Sequence, residues 1–464
     1  MGRRRQAGSL RRLLLALLLA SGCGEGDAPP SQKGDPLNVL LISVDTLRAD
    51  HLSSYGYKHE TSPSIDHLAR EGVLFRNAIA QRGGTWPSLT SILTSMYPRT
   101  HGVRNNGDRL SASNRILAEL LLKRGYETGA FLTNMESAPN RGFEHKPEFP
   151  KGDRDEFATA EAIRWIQSRG DAAFFAWLHL LGPHDPYAAP RRLRRRFDTG
   201  YRGELDGRRK TLEAIHRERR ELSRAELAHI VSLYDADIAQ VDLQIAAVLS
   251  ALEALGLSER TLVVLTSDHG EELYEHNHYF FHSYSIYESV LRVPLIMRLP
   301  GVISPRSRVD ATVESIDIAP TVLDFLDIPI PDEFEGTSLR DRILAPGAAG
   351  AQAGVAISDL GPGIYSIRTD RWHFIYNPRG YTSPIIRPDS RGDLGHFRIE
   401  AEELYDVRED PRETRNLVGE RRDVAAPLRA RLLEWIEGGG EESYRPAPLS
   451  PETEAELRAL GYLE

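Results

Sequence analysis

Leu37-Asn38-Val39-Leu40-Leu41-Ile42-Ser43-Val44-Asp45 is a short, largely apolar run with a carboxylate at its end. Such a run, rich in branched side chains and without polar alternation, reads as a strand buried on both faces. Two further stretches have the same form. Ala172–Leu178 leads to His179 and then to Gly182-Pro183-His184-Asp185-Pro186, and Thr261–Thr266 leads to Ser267-Asp268-His269-Gly270. Helical periodicity fills the spaces between them, over Ser64–Glu71, Ile116–Arg124, Glu156–Ser168 and Ala225–Leu255. Buried strands alternating with helices predict an α/β fold, a large and mainly parallel sheet sandwiched by helices. Polar ligands of such sheets collect beyond the carboxyl ends of the strands. Asp45, His184, Asp268 and His269 all stand just past strand ends, so they are expected to share one site.

The 464 residues suit a large domain followed by a smaller one. Residues 37–345 hold the elements just described. The Ala- and Gly-rich segment 345–353 reads as a linker. Beyond it, Ile364–Thr369 and Trp372–Tyr376 read as hairpin strands and Val424–Ile436 as a helix, which predicts a small C-terminal α+β subdomain over 354–464. The net charge of -9 gives no reason to expect a nucleic-acid partner.

The first 22 residues read as an export signal. Arg3, Arg4, Arg5, Arg11 and Arg12 precede the apolar stretch Leu13–Leu19, which is too short to span a bilayer. Ala20-Ser21-Gly22-Cys23 resembles a bacterial lipobox cut before Cys23, whose thiol would carry a lipid. Residues 23–36 then form a tether, and the mature protein is expected on a bacterial membrane, at the outer membrane or the periplasmic face. Cys23 is the only cysteine, so no disulfide forms within the chain.

Several ordered segments resemble the sulfatase family of the alkaline-phosphatase-like superfamily. Asn38–Arg48 resembles its first metal strand, and Thr61–Ala78 its first helix and turn. Ser267-Asp268-His269-Gly270-Glu271 with Arg292-Val293-Pro294-Leu295-Ile296 resembles its second metal loop and the strand that follows it. Asp317-Ile318-Ala319-Pro320-Thr321 and Glu403–Pro411 resemble later landmarks. Gly83-Gly84-Thr85-Trp86-Pro87-Ser88-Leu89, followed by Thr90–Pro98, is similar to the family signature Cys-x-Pro-Ser-Arg. In that family the cysteine becomes a formylglycine nucleophile. Here Thr85 stands in its place, and Leu89 replaces the signature arginine. The family's Gly-Lys-Trp-His segment is absent, and Ala130-Phe131-Leu132-Thr133-Asn134 continues instead.

The resemblance implies a metal site made by Asp45, Asp268 and His269 with Thr85. Carboxylates with one imidazole suit a single divalent ion, Mn²⁺, Zn²⁺, Ca²⁺ or Mg²⁺. Relatives that bind Ca²⁺ have a second aspartate beside the first, a position held here by Thr46. Thr85, activated by the metal, is the expected nucleophile. Pro87-Ser88 fits the first turn of a helix whose amides would face an oxyanion. His184 and His282 are the expected partners of the transferred and leaving groups. Ser88, His101 and His276 are expected at the substrate rim, together with His278.

These residues predict a hydrolase acting on anionic esters, carried by a glycan or a lipid headgroup. Thr85 lacks the second hydroxyl by which a formylglycine hydrate sheds sulfate, which favours phosphate mono- and diesters or phosphoryl transfer. A sulfuric ester hydrolase without formylglycine and a non-catalytic anion- or glycan-binding relative are the alternatives. The basic run Arg191-Arg192-Leu193-Arg194-Arg195-Arg196 reads either as a solvated face or as a surface for anionic substrate or lipid headgroups.

Overall fold

The computed structural model describes residues 36–133, 139–147, 154–276, 279–346, 353–361, 363–380, 382–384 and 396–439. The export segment, Cys23, His278 and most of the 345–353 linker lie outside the described residues. The strands are β1 (Asn38–Val44), β2 (Val73–Ile79), β3 (Glu127–Leu132), β4 (Phe174–Leu180), β5 (Thr261–Ser267), β6 (Glu272–Leu273), β7 (Phe280–Phe281) and β8 (Arg292–Arg298). They continue with β9 (Ser307–Val309), β10 (Val313–Glu314), β11 (Val355–Gly361), β12 (Ile364–Thr369), β13 (Trp372–Tyr376), β14 (Thr382–Pro384), β15 (His396–Arg398) and β16 (Glu402–Asp406). The large sheet runs β10-β2-β8-β5-β1-β4-β3, with β9 beside β2. It is parallel throughout except around β8, which is antiparallel to both β2 and β5.

The helices that position the site are α1 (Pro63–Glu71), α2 (Thr85–Thr94), α3 (Pro98–His101), α4 (Leu117–Leu122) and α5 (Arg154–Gln167). They are followed by α6 (Arg191–Arg194), α7 (Arg209–Arg217), α8 (Arg224–Ala254) and α9 (Glu288–Leu291). The strand alternation divides the core in two. Leu40, Ile42 and Val44 of β1 face one cluster, which α8 covers through Ile238, Val241 and Ile245. Val39 and Leu41 face the other, which receives Trp86, Leu89, Ile92 and Leu93 of α2. The odd positions of β1 therefore meet α2, and that face carries Ser43 and Asp45 toward Thr85.

A second, antiparallel sheet follows the order β11-β12-β13-β16 and packs against α12 (Arg422–Gly438). Buried polar contacts join it to the rest. Arg82 is ion-paired with Asp359 at 2.6 Å, Arg368 with Glu288 at 2.5 Å, and the Tyr287 hydroxyl donates to Glu403 at 2.9 Å. The residues from Pro36 onward form one compact unit. Among the described residues, no helix is long and apolar enough to cross a membrane.

Candidate active site

β1 and β5 are parallel neighbours with Val44 opposite Ser267, so the next residues, Asp45 and Asp268, emerge side by side. β4 flanks β1 on the other side with His179 opposite Ser43, which turns the His179 ring to the same face as Asp45. Thr85 begins α2 on that face. Its Oγ1 lies 3.3 Å from Nε2 of His269. The same nitrogen is 3.4 Å from Asp268 Oδ2 and 3.8 Å from Asp45 Oδ1. Thr85, Asp45, Asp268 and His269 thus meet around one point, although they come from three separate stretches of chain.

The acceptors at that point are short of donors. Asp45 Oδ1, Asp268 Oδ2 and His179 Nε2 are buried without a hydrogen bond. Asp45, His179 and Asp268 present ligand atoms all within 4.8 Å of one another. Burial first, and then the charges of Asp268, Glu271, Asp185 and Asp155, hold the Asp45 carboxyl well above the usual carboxylate range. Packed carboxylates of this kind are costly unless a proton or a cation compensates them. Burial draws His179 down to about 4, so its ring is uncharged near neutrality. Hard oxygens with neutral imidazoles are a donor set that fits a divalent cation. His179 was not singled out as a ligand because the sequence reads the strand as ending at Leu178, whereas β4 runs on to Leu180 and holds His179 within it. Its register beside Ser43 is what brings it to the cluster.

Three imidazoles are fixed in one manner. His269 Nδ1 lies 2.9 Å from the Gly270 carbonyl, and His184 Nδ1 lies 2.7 Å from the Asp185 carbonyl. A carbonyl can only accept, so Nδ1 carries the proton in both rings and Nε2 keeps its lone pair. His282 Nδ1 lies 3.1 Å from the Glu271 carboxylate. The His282 ring stands 4.3 Å from that of His269 and 5.2 Å from that of His184. His269 and Asp268 are fully buried, whereas His282 and His184 keep 4% and 6% of their surface and are the most exposed of the four. Asp185 is itself held by Arg209 at 2.5 Å.

The supporting contacts explain the local sequence. Thr46 has φ 56°, a left-handed conformation that a β-branched residue seldom adopts. Its amide reaches Asp268 Oδ1 at 3.3 Å, and its carbonyl accepts from the Tyr234 hydroxyl at 2.7 Å. Arg48, also buried, donates to the Glu271 carbonyl at 2.9 Å and so ties the loop after β1 to the loop after β5. Gly270 lets that loop approach α9, since a Cβ there would stand 2.1 Å from the Ser289 carbonyl.

The remaining expected residues are placed differently. The Ser88 hydroxyl donates to the Asp268 carbonyl at 2.6 Å and fixes the metal loop to α2. Of the first-turn amides, Trp86 donates to Asn106 and Ser88 to the Gly84 carbonyl, while Pro87 has none. The Trp86 and Ser88 amides are thus engaged within the protein. His101 is buried between Ser91 and the Val103 amide, with both nitrogens engaged. Burial and then Arg82 lower it to about 3. It braces α2 against α3. His276 is ion-paired with Glu272 at 3.0 Å and stacked on Tyr287 at 3.7 Å.

The chain and its fold are similar to those of known proteins. A family model described as Sulfatase matches residues 37–328. A Delta 4,5-hexuronate-2-O-sulfatase of Bacteroides thetaiotaomicron is 24% identical over 473 residues, covering 93% of this chain and 95% of that protein. The fold is shared with a protein solved with its substrate D-glucosamine-2-N,6-O-disulfate (TM-score 0.71, 22% identity, 87% of this chain and 98% of that one). It is shared as well with a phosphonate monoester hydrolase of Agrobacterium radiobacter (TM-score 0.66, 23% identity, 87% and 96%).

Proposed function

The chain belongs to the sulfatase family and is a hydrolase of ester bonds, and we propose that it cleaves phosphate mono- or diesters, or transfers their phosphoryl group, with Thr85 as nucleophile. The observation that carries this reading is the Thr85 hydroxyl, 3.3 Å from His269 Nε2 and beside the unpartnered oxygens of Asp45 and Asp268. Asp45, Asp268 and His269 would hold a divalent ion with Thr85, and His179 is a further donor. Bound there, the ion supplies the positive charge that favours an ionised hydroxyl and an anionic ester.

The chain's own residues account for the rest. The oxygen of Thr85, its proton released to solvent on ionisation, attacks phosphorus and the ester oxygen leaves, taking a proton from His282. The Glu271 carboxylate on Nδ1 orients that ring for proton exchange at Nε2. Water then attacks the phosphothreonine in line, with the threonine oxygen as leaving group. Burial, outweighing Asp185, lowers His184, which suits its ring to take the proton of that water. Threonine has no second oxygen on its reacting carbon. A sulfated Thr85 could not collapse to an aldehyde and would need attack at sulfur, which is why phosphorus is favoured. The names of the relatives favour the second reading, a sulfuric ester hydrolase.

Aryl phosphodiester, phosphomonoester and sulfate substrates compared across Mn²⁺, Zn²⁺ and Ca²⁺ test the proposal. Phosphoester turnover with a covalent phosphate on Thr85 is expected, and turnover of sulfate alone would overturn it. Ala20-Ser21-Gly22-Cys23 supports an exported enzyme held on a bacterial membrane by a lipid on Cys23. Mass analysis of the mature N-terminus checks that, and an unmodified cysteine would rule it out.

A further inference from the structure

The segment from Arg191 to Arg224 carries thirteen Arg and Lys against six Asp and Glu, in a chain whose net charge is -9. The excess is concentrated at one turn. Arg191, Arg192, Arg194, Arg195 and Arg196 are all exposed on α6 and the short 3₁₀ turn Arg195–Phe197 that follows it. Among the described residues, none of these five guanidiniums has an ion-pair partner, whereas Arg202 and Arg209 nearby are paired with Asp198 and Asp185. Arg196 donates to the Glu60 carbonyl. Like charges held this close repel one another, and a bound anion would relieve that repulsion.

The turn is rigidly built. Leu193 and Phe197 pack inward on Ala189, Ala236 and Ala239. The amides of Ala188 and Ala189 are held by the Asp237 carboxylate of α8 at 3.1 and 2.5 Å. Its chain comes directly from β4 and His184. Arg191 is seven residues beyond that histidine, so the two Cα atoms are at most about 25 Å apart.

We infer that the arginine turn is a second anion-binding site, taking the neighbouring charges of a soluble polyanionic chain whose terminal ester enters at His184. This rests on the active-site reading above and extends it, because a substrate using both places must carry several anionic groups in a row. One feature favours a soluble chain over a bilayer. The apolar side chains of the turn face the protein, leaving none to insert among lipids.

Binding of fluorescently labelled dextran sulfate to the full-length protein tests this without any need for turnover. In Arg191→Gln/Arg194→Gln/Arg195→Gln the affinity should fall at least about tenfold and its salt dependence should flatten. The same loss of charge at the exposed Arg124, Arg306 and Arg308, made as Arg124→Gln/Arg306→Gln/Arg308→Gln, should have little effect. Equal losses in the two triple variants would overturn the site, as would turn-dependent binding of phosphatidylglycerol vesicles with none of dextran sulfate. The assay does not involve Thr85, so loss of the proposed chemistry and loss of this site give different results.

Discussion

The hydroxyl of Thr85 stands 3.3 Å from Nε2 of His269, across 184 residues of chain. With Nδ1 of that ring committed to the Gly270 carbonyl, the one free lone pair can accept the threonine proton or bind a cation, but not both at once. In the proposed mechanism this choice decides how His269 helps Thr85.

If Thr85 is the nucleophile, Thr85→Ala lowers kcat by at least about a thousandfold while the melting temperature barely moves. Thr85→Ser retains measurable turnover, because its oxygen can occupy the same place. Mass spectrometry of quenched wild-type enzyme should find the transferred group on Thr85. Normal turnover by the alanine variant would end the mechanism.

The orphaned oxygens of Asp45 and Asp268 predict linked metal binding and stability. Mn²⁺ or Zn²⁺ at one hundred times its Kd should raise the unfolding free energy by about 2.7 kcal/mol, read as a higher melting temperature that a chelator reverses. Asp45→Asn removes a charge that the folded state holds against Asp268. Its metal-free form should therefore melt no lower than wild type, yet respond little to metal. A metal-free variant that melts well below wild type would contradict the compensation argument.

Thr46 sits in a left-handed conformation beside Asp45, at a cost of about 1–3 kcal/mol. Aspartate tolerates that conformation better, and Thr46→Asp adds a hard oxygen ligand next to the first. Calorimetric titration should show Ca²⁺ binding tightened by about tenfold or more. Unchanged affinity would mean that position 46 does not face the ion.

The His276–Glu272 pair predicts a pH window of stability. Burial pulls His276 down, but the charge and hydrogen bond of Glu272 outweigh it, and the ring is raised to about 9. A raised pKa stabilises the fold fully below the unfolded value of about 6.5 and loses that contribution as pH climbs through 9. Glu272 is pushed up by burial and further down by His276, so its contribution fades only as pH falls below the ordinary carboxylate range. In urea titrations His276→Gln should lose up to about 3 kcal/mol at pH 7, with the gap closing above pH 9. A pH-independent gap would point to lost stacking on Tyr287 instead.

The strand runs and their terminal carboxylates were legible because burial on both faces leaves an uninterrupted apolar signature. The hairpin at Ile364–Thr369 and Trp372–Tyr376 was equally plain, its alternation bracketing Asp370-Arg371. β2 was not singled out as a sheet strand, and β8 was expected at Arg292–Ile296 through the resemblance alone. Their antiparallel pairing joins residues more than two hundred positions apart, which no local pattern records. His179 escaped for a related reason. The strand was read as ending at Leu178, and a histidine just past it looks like a loop residue until the register shows what lies beside it. The helix start at Thr85 was readable from Pro87, but the capture of the Trp86 amide by Asn106 was not, because that partner comes from a loop twenty residues later.

His184, His269 and His282 each have their Nδ1 hydrogen tied to a fixed acceptor. A backbone carbonyl takes no proton, so a hydrogen ion that lands on the far nitrogen of His269 must leave by the door it entered. Behind His282 stands the Glu271 carboxylate, a base, so that ring can hand a proton onward.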